Sequence, residues 1–158
     1  MSEIIIRPAE EKDTDKILEL LHQIHALHAE IRPDIFAQGI TKYSREEVLN
    51  IMADPETPIF VAVDSADTVR GYAFLKIKEK KDESHVPMKE LYLDDLCVDE
   101  AARGKGIGKL LFEFVKEKGK ALGCYEVTLS VWAGNDGARR FYDSVGLKEK
   151  FTMLEYIL

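Results

Sequence analysis

The sequence predicts an α/β protein with a central mixed, mostly antiparallel, twisted sheet and helices on both faces. Two observations carry this. The apolar period changes from helical over residues 14–29 to strand-like over residues 59–98, then back to helical over residues 106–122. A strand, a loop, a helix and a further strand also follow one another late in the chain, the order that builds a parallel pair with a crossover helix. The 158 residues are about one domain's worth, so residues 1–158 are taken as a single domain. At 46% hydrophobic and 32% charged residues the composition is that of a globular chain and argues against disorder.

The elements follow in order. Ile4 to Arg7 reads as a strand opening straight after Met1-Ser2-Glu3, where a first strand and not a signal peptide is expected, and Pro8 ends it. Asp13 is the expected N-cap of a helix through about Ala29, with Ile17, Leu20, Leu21, Ile24 and Leu27 at helical spacing. Arg32-Pro33 ends it. Ser44 and Glu47 fit a capping box that starts a second helix through about Met52. Ile59 to Val63 and Val69 to Ile77 form a hairpin around Asp64–Asp67, and the charged run Lys78 to Glu83 is expected to be loop. Lys89 to Val98 is a third strand of that group. Gly106 to Leu122 is a helix burying Ile107, Leu110, Leu111, Phe114, Val115 and Leu122, closed by Gly123. Glu126 to Val131 is a strand, Asp136 to Ser144 a short helix, and Thr152 to Ile157 a last strand.

The net charge of −7 excludes two classes of partner, extended nucleic acid and anionic membrane, because both are held by neutralising phosphate. Cys97 and Cys124 belong to no C-x-x-C pair, so they read as free thiols of a cytoplasmic protein. His22, His25 and His28 step by three and drift off one helix face, which fits a helix surface better than a metal site.

The densest chemical signal is Arg103-Gly104-Lys105-Gly106-Ile107-Gly108-Lys109. Its glycines let backbone turn tightly, and the helix start behind it presents unpaired N–H groups, so the expected ligand is a phosphate or pyrophosphate. From Arg103 to Lys120 there are six basic residues and two acidic ones, a cationic patch on an acidic chain. The P-loop spacing is absent, and the dinucleotide fingerprint would need glycine where Lys109 stands. A glycine-rich turn without a ligand remains the plain alternative.

Arg103-x-x-Gly106-x-Gly108 resembles the R/Q-x-x-G-x-G/A signature of the GCN5-related N-acetyltransferases, the GNAT family. Val131, Asn135, Ala138, Phe141-Tyr142 and Gly146-Leu147 resemble a second segment of the same family, and the element order matches over essentially the whole chain. The resemblance implies acetyl-CoA as cofactor. Arg103, Gly104, Lys105, Gly106, Ile107, Gly108 and Lys109 would hold the pyrophosphate. The strand end Leu96-Cys97-Val98 would pair with the pantetheine arm where two strands splay apart. Asn135 and Tyr142 would touch the cofactor from the facing helix, and Tyr142 would protonate the departing thiolate.

An amine attacking a thioester needs a proton acceptor, and Asp94 is the candidate base. Tyr92-Leu93-Asp94-Asp95-Leu96 has a weaker local resemblance to polyamine acetyltransferases, in which the first acid is a glutamate. Alternation puts Tyr92, Asp94 and Leu96 on one face and Leu93, Asp95 and Cys97 on the other. A structural pair or a β-bulge is the other reading of these two acids. Asp94, Asp95, His28, Glu30, Arg32 and Trp132 are candidate acceptor contacts. The implied function is acetyl transfer from acetyl-CoA to a primary amine of a small, cationic, polyamine-like acceptor, without a covalent enzyme intermediate. The alternatives are transfer to a protein lysine or N-terminus, a non-catalytic acyl-CoA sensor, or another nucleotide ligand. Dimers are common in the family, so a homodimer is a further expectation.

Overall fold

A computed structural model describes residues 3–158; Met1 and Ser2, at the start of the opening segment, lie outside them. The elements are β1 (Ile5–Pro8), α1 (Thr14–Ile31), α2 (Arg45–Ala53), β2 (Ile59–Val63), β3 (Val69–Lys80), β4 (Met88–Val98), α3 (Ile107–Ala121), β5 (Glu126–Thr128) and α4 (Asp136–Ser144). Short 3-10 turns occupy Glu11–Asp13 and Glu100–Ala102. The sheet order is β1-β2-β3-β4-β5. The first four strands run antiparallel, and β5 lies parallel to β4 after the α3 crossover. The mixed, mostly antiparallel sheet expected from the sequence is therefore present.

Two apolar layers follow from alternation in β2 and β3. Ile59, Val61, Val63, Tyr72 and Phe74 face Ile17, Leu20, Leu21 and Val48 of α1 and α2. Phe60, Ala62, Ala73 and Leu75 face Ile107, Leu111, Phe112 and Val115 of α3. All of β2 is buried, as a strand covered on both faces must be.

Several local expectations shift. The Ser44–Glu47 capping box forms, with both reciprocal hydrogen bonds. Asp13 stands at the N-cap of α1 but does not cap it. Its carboxylate accepts from the Glu10 N–H at 2.8 Å and pairs with both terminal nitrogens of Arg7 at 2.8 and 3.0 Å. β3 runs through Lys80, because Lys78 to Lys80 stay in register with Glu90 to Met88 and Lys78 sits 4.0 Å over the Tyr92 ring. In α3 it is Phe112 that is buried, while Leu110 is 47% exposed. Gly123 closes α3 as expected, with its N–H bonded to Lys120 O and the next N–H to Gly119 O. β5 is three residues long, since it parts from β4 after Thr128. Residues 152–157 form no strand and are exposed.

Candidate functional site

The site is built on an irregularity in β4. Phe74 of β3 lies opposite Asp95 and Leu75 lies opposite Leu93, so Asp94 is an extra residue in the ladder. A bulge of this kind resets the alternation. Leu91 and Leu93 face α3, whereas Cys97 lies in the layer under α1 and α2. The simple alternation, which grouped Leu93 with Asp95 and Cys97, is corrected here: the bulge separates them. Both carboxylates instead reach tyrosines of the α1–α2 layer, with Tyr43 donating to Asp94 at 2.5 Å and Tyr72 donating to Asp95 at 3.1 Å.

Their surroundings differ. Asp94 is 8% exposed and lies 3.2 Å from the Lys42 ammonium and 3.5 Å from that of Lys76. Burial works to raise its pKa, but the Tyr43 hydrogen bond and the two lysines outweigh it and hold the group below the usual carboxylate range. Asp95 makes no ion pair among the described residues. Burial pushes its pKa up to about 6, against the opposing Lys42 charge and the Tyr72 hydrogen bond.

Beyond these acids the strand has a free edge. β4 pairs with β5 only from Glu90 to Tyr92, so the side of Leu93–Val98 away from β3 has no strand partner among the described residues. The expected splay is there, with Leu96, Cys97 and Val98 along it. Gln23 of α1 clamps the strand end, donating to Val98 O at 3.0 Å and accepting from the Glu100 N–H at 3.3 Å. Asp99 locks it further, paired with Lys16 at 2.8 Å and capping the Glu100–Ala102 turn. That turn leads into Arg103–Lys109. Gly106 takes a left-handed conformation (φ +75°) as N-cap of α3 and offers no side-chain cap, which leaves the first helix N–H groups free. A Cβ on Gly108 would lie 3.2 Å from the Phe141 ring, so glycine is what lets α4 approach. Arg103, Lys105 and Lys109 are exposed and make no ion pair among the described residues. Unpaired donors, a helix N-terminus and three uncompensated cations fit a pyrophosphate.

α4 packs against the start of α3, with Phe141 beside Gly108. Tyr142 packs edge-on to Phe141 at 5.1 Å, and its hydroxyl has no hydrogen-bond partner among the described residues. Since no buried polar side-chain atom is left unpaired, that oxygen reaches the surface. Burial raises its pKa above the ordinary phenol value, helped by nearby Asp95 and Cys97. Asn135 spends its side-chain oxygen capping α4, accepting from the Ala138 N–H at 3.3 Å. Cys97 is buried, and burial pushes its thiol up to about 12, which leaves little thiolate at neutral pH.

The acceptor-side candidates divide. A cavity of about 180 Å³ lies between α1 and the signature loop, lined by Gln23, Ile24, Leu27, Glu30, Glu100 and Arg103 among others. Neither Glu30 nor Glu100 is in an ion pair among the described residues. Arg32, Trp132 and His28 gather elsewhere, around Phe36. Trp132 meets that ring at 5.1 Å and His28 meets it at 5.3 Å. Arg32 lies 6.0 Å over Trp132 and is occupied by Asp34 and Glu155 at 2.8 and 2.6 Å. His25 is buried and bonded to Ala37 O at 2.6 Å, tying the following loop to α1. Gln23, Lys42, Tyr43 and Lys76 were not singled out by sequence. Gln23 had a readable signal, as a polar residue on the Leu20–Leu27 apolar stripe.

The acetyltransferase (GNAT) family model matches residues 21–147. An uncharacterised N-acetyltransferase from the pepI 3′ region of Lactobacillus delbrueckii subsp. lactis is 28% identical over 153 residues, covering 93% of this chain and 86% of the relative. Among solved structures, the BH1408 protein of Bacillus halodurans, as a mutant, is 30% identical with a TM-score of 0.93, covering 98% of this chain and 99% of that one. The aminoglycoside N-acetyltransferase AAC(6′)-Iy, solved in complex with CoA, shares the fold at 17% identity and a TM-score of 0.71, covering 100% of this chain and 96% of that one. With four-fifths of its length inside the family model and both signature segments in place, the chain belongs to the GNAT family and is an acetyl-CoA-dependent N-acetyltransferase.

Proposed function

We propose that this enzyme moves the acetyl group of acetyl-CoA to a primary amine of a small cationic acceptor, by direct attack within a ternary complex. The observation that carries the reading is the splay of β4 from β5, which leaves an unpaired strand edge leading from Asp95, near Tyr142, to the signature loop. Arg103–Lys109 would hold the pyrophosphate through backbone N–H groups and cations. The Leu96–Val98 edge would pair with the pantetheine arm, and α4 would cover it through Tyr142 and the neighbourhood of Asn135. The thioester supplies the acetyl group as an electrophile when bound. A backbone N–H of the free edge near Cys97 or Val98 would stabilise charge on its carbonyl oxygen.

Asp95 is favoured over Asp94 as the group that accepts the amine proton, directly or through a water. A carboxylate held near pH 6 is matched to taking up a proton at neutral pH, whereas Asp94 is neutralised by Lys42 and Lys76. Asp94 then positions the loop through Tyr43 and Lys42. Tyr142 keeps its proton because its pKa is raised, and its unbonded hydroxyl can give that proton to the departing thiolate. The inert Cys97 thiol favours direct transfer over a covalent acyl-enzyme.

A cationic, polyamine-like acceptor is supported by Glu30 and Glu100, two unpaired acids on one cavity, and by the acidic remainder of the chain, which attracts cations at long range. The related aminoglycoside acetyltransferase, by its name, also acts on an amine-bearing small molecule. The substrate and the two free thiols suit a reducing cytoplasm. Thiol release from acetyl-CoA, followed over a panel of diamines, amino sugars, amino acids and lysine peptides, tests the reading. A small di- or polyamine giving the highest kcat/KM is expected. CoA binding without thiol release from any amine would overturn it in favour of a sensor.

A further inference from the structure

Tyr72 of β3 is fully buried, and the layer it belongs to is otherwise apolar, with Ile17, Leu20, Leu21, Val61 and Phe74 among its members. Phe74, two residues on along the same face, fills its place with a plain phenyl ring. Packing therefore asks only for an aromatic ring at position 72. A hydroxyl in such a layer costs free energy unless it is hydrogen-bonded. The bond it makes among the described residues is to Asp95 Oδ2, at 3.1 Å. The ladder explains the reach. Tyr72 lies opposite Cys97, so Asp95, two residues earlier, falls on the same face and diagonal to the ring. Phe74 meets that ring edge-on at 4.9 Å, which restricts its plane.

This contact does not seal Asp95. The residue is only partly buried, and the N–H of Leu96, which stands on the free edge of β4, also bonds to its carboxylate. The carboxylate thus spans from a hydroxyl inside the core to the edge where β4 has lost its partner. Tyr43 serves Asp94 differently. It comes from the loop before α2, and Lys42 and Lys76 already neutralise that acid.

We propose that Tyr72 is a positioning residue for acetyl transfer: from inside the core it holds one oxygen of Asp95, so that the carboxylate meets the free edge of β4 in one orientation. This rests on the reading of Asp95 as the group that accepts the amine proton. A hydrogen bond given to the ionised form favours that form, so the hydroxyl also works against burial in setting where Asp95 titrates. The other groups around Asp95 do not titrate with it. Tyr72, Tyr43, Tyr142 and Cys97 are all raised and stay neutral near pH 7. Asp94 is lowered and stays ionised, and the Lys42 ammonium opposes burial from the loop before α2.

Tyr72→Phe removes the hydroxyl and keeps the ring. The side-chain carboxyl carbon of Asp95, followed by NMR in the full chain without CoA, should show a proton bound about 10-fold more tightly in this variant than in the wild type. The acidic limb of kcat/KM should move to higher pH by the same factor. At a pH above both limbs kcat should still fall roughly 10-fold, with KM for the amine nearly unchanged. In an Asp95→Asn background Tyr72→Phe should cost no further activity, because the two side chains act as one unit. A tyrosine that only packs the core would leave the carbon titration in place, and its cost would add to that of Asp95→Asn; either result overturns the proposal. The carbon titration needs no turnover, so it separates this inference from the reading beneath it. A carbon that moves while the limb stays would retire Asp95 as the base, and the positioning role with it. A limb that vanishes in Asp95→Asn but stays put in Tyr72→Phe would overturn the positioning role alone.

Discussion

Asp94 and Asp95 are neighbours in β4, yet their carboxylates are pushed in opposite directions: Tyr43, Lys42 and Lys76 hold Asp94 ionised, while burial beside Tyr72 raises Asp95 to about 6. The bulge is what makes this possible. It gives two consecutive residues access to one layer of side chains and lets one acid absorb the nearby positive charge.

The first consequence concerns stability. The folded chain binds a proton at Asp95 more tightly than the unfolded chain does, because its pKa is raised above the ordinary 3.8. The stabilisation from the neutral acid is thus complete below about pH 4 and lost as pH rises through about 6. Asp95→Asn should leave stability nearly unchanged at pH 4 and raise it by on the order of 2 kcal/mol at pH 8. Urea unfolding at the two pH values checks this, and an equal effect at both would contradict it.

Tyr142 offers a cleaner separation of chemistry from folding. Its hydroxyl makes no hydrogen bond among the described residues, so Tyr142→Phe should change unfolding free energy by less than about 0.5 kcal/mol. As the thiolate's proton donor it should carry roughly 100-fold in kcat, with little change in CoA affinity. Steady-state kinetics beside calorimetric CoA titration would show the split. A fall in affinity equal to the fall in rate would make Tyr142 a packing residue.

The signature loop should answer to both backbone and charge. Gly106→Ala forces a side chain into a left-handed conformation at φ +75°, costing on the order of 1 kcal/mol, and should weaken CoA binding. Lys105→Ala and Lys109→Ala should each weaken it roughly 3- to 10-fold at low ionic strength, with the difference shrinking as salt screens the exposed charges. Calorimetry across a salt series reads both effects. Salt-independent affinity in the wild type would mean that these cations do not meet the ligand.

Much of this was legible in the sequence because local chemistry announced it. Ser44 and Glu47 name their own helix start, Gly123 its helix end, and Arg103-x-x-Gly106-x-Gly108 the tight turn that opens α3. The bulge was open only as an alternative, because period-two reading assumes an unbroken ladder and one inserted residue inverts everything after it. Lys42 and Tyr43 escaped because they lie in a segment without periodicity and gain meaning only by reaching Asp94 across 52 and 51 residues. The length of β5 depends on where the sheet splays, which no propensity encodes. The segment from Thr152 to Ile157 has a strand's composition, yet it pairs with no strand of the sheet among the described residues.

The pH dependence of kcat/KM for the wild type, Asp95→Asn and Asp94→Asn tests the division between the two acids most directly. The wild type should lose activity below an apparent pKa near 6, and Asp94→Asn should keep that acidic limb. Asp95→Asn should fall by roughly 100-fold or more at neutral pH and lose the limb. An acidic limb that persists in Asp95→Asn and vanishes in Asp94→Asn would contradict the assignment and return the base to Asp94.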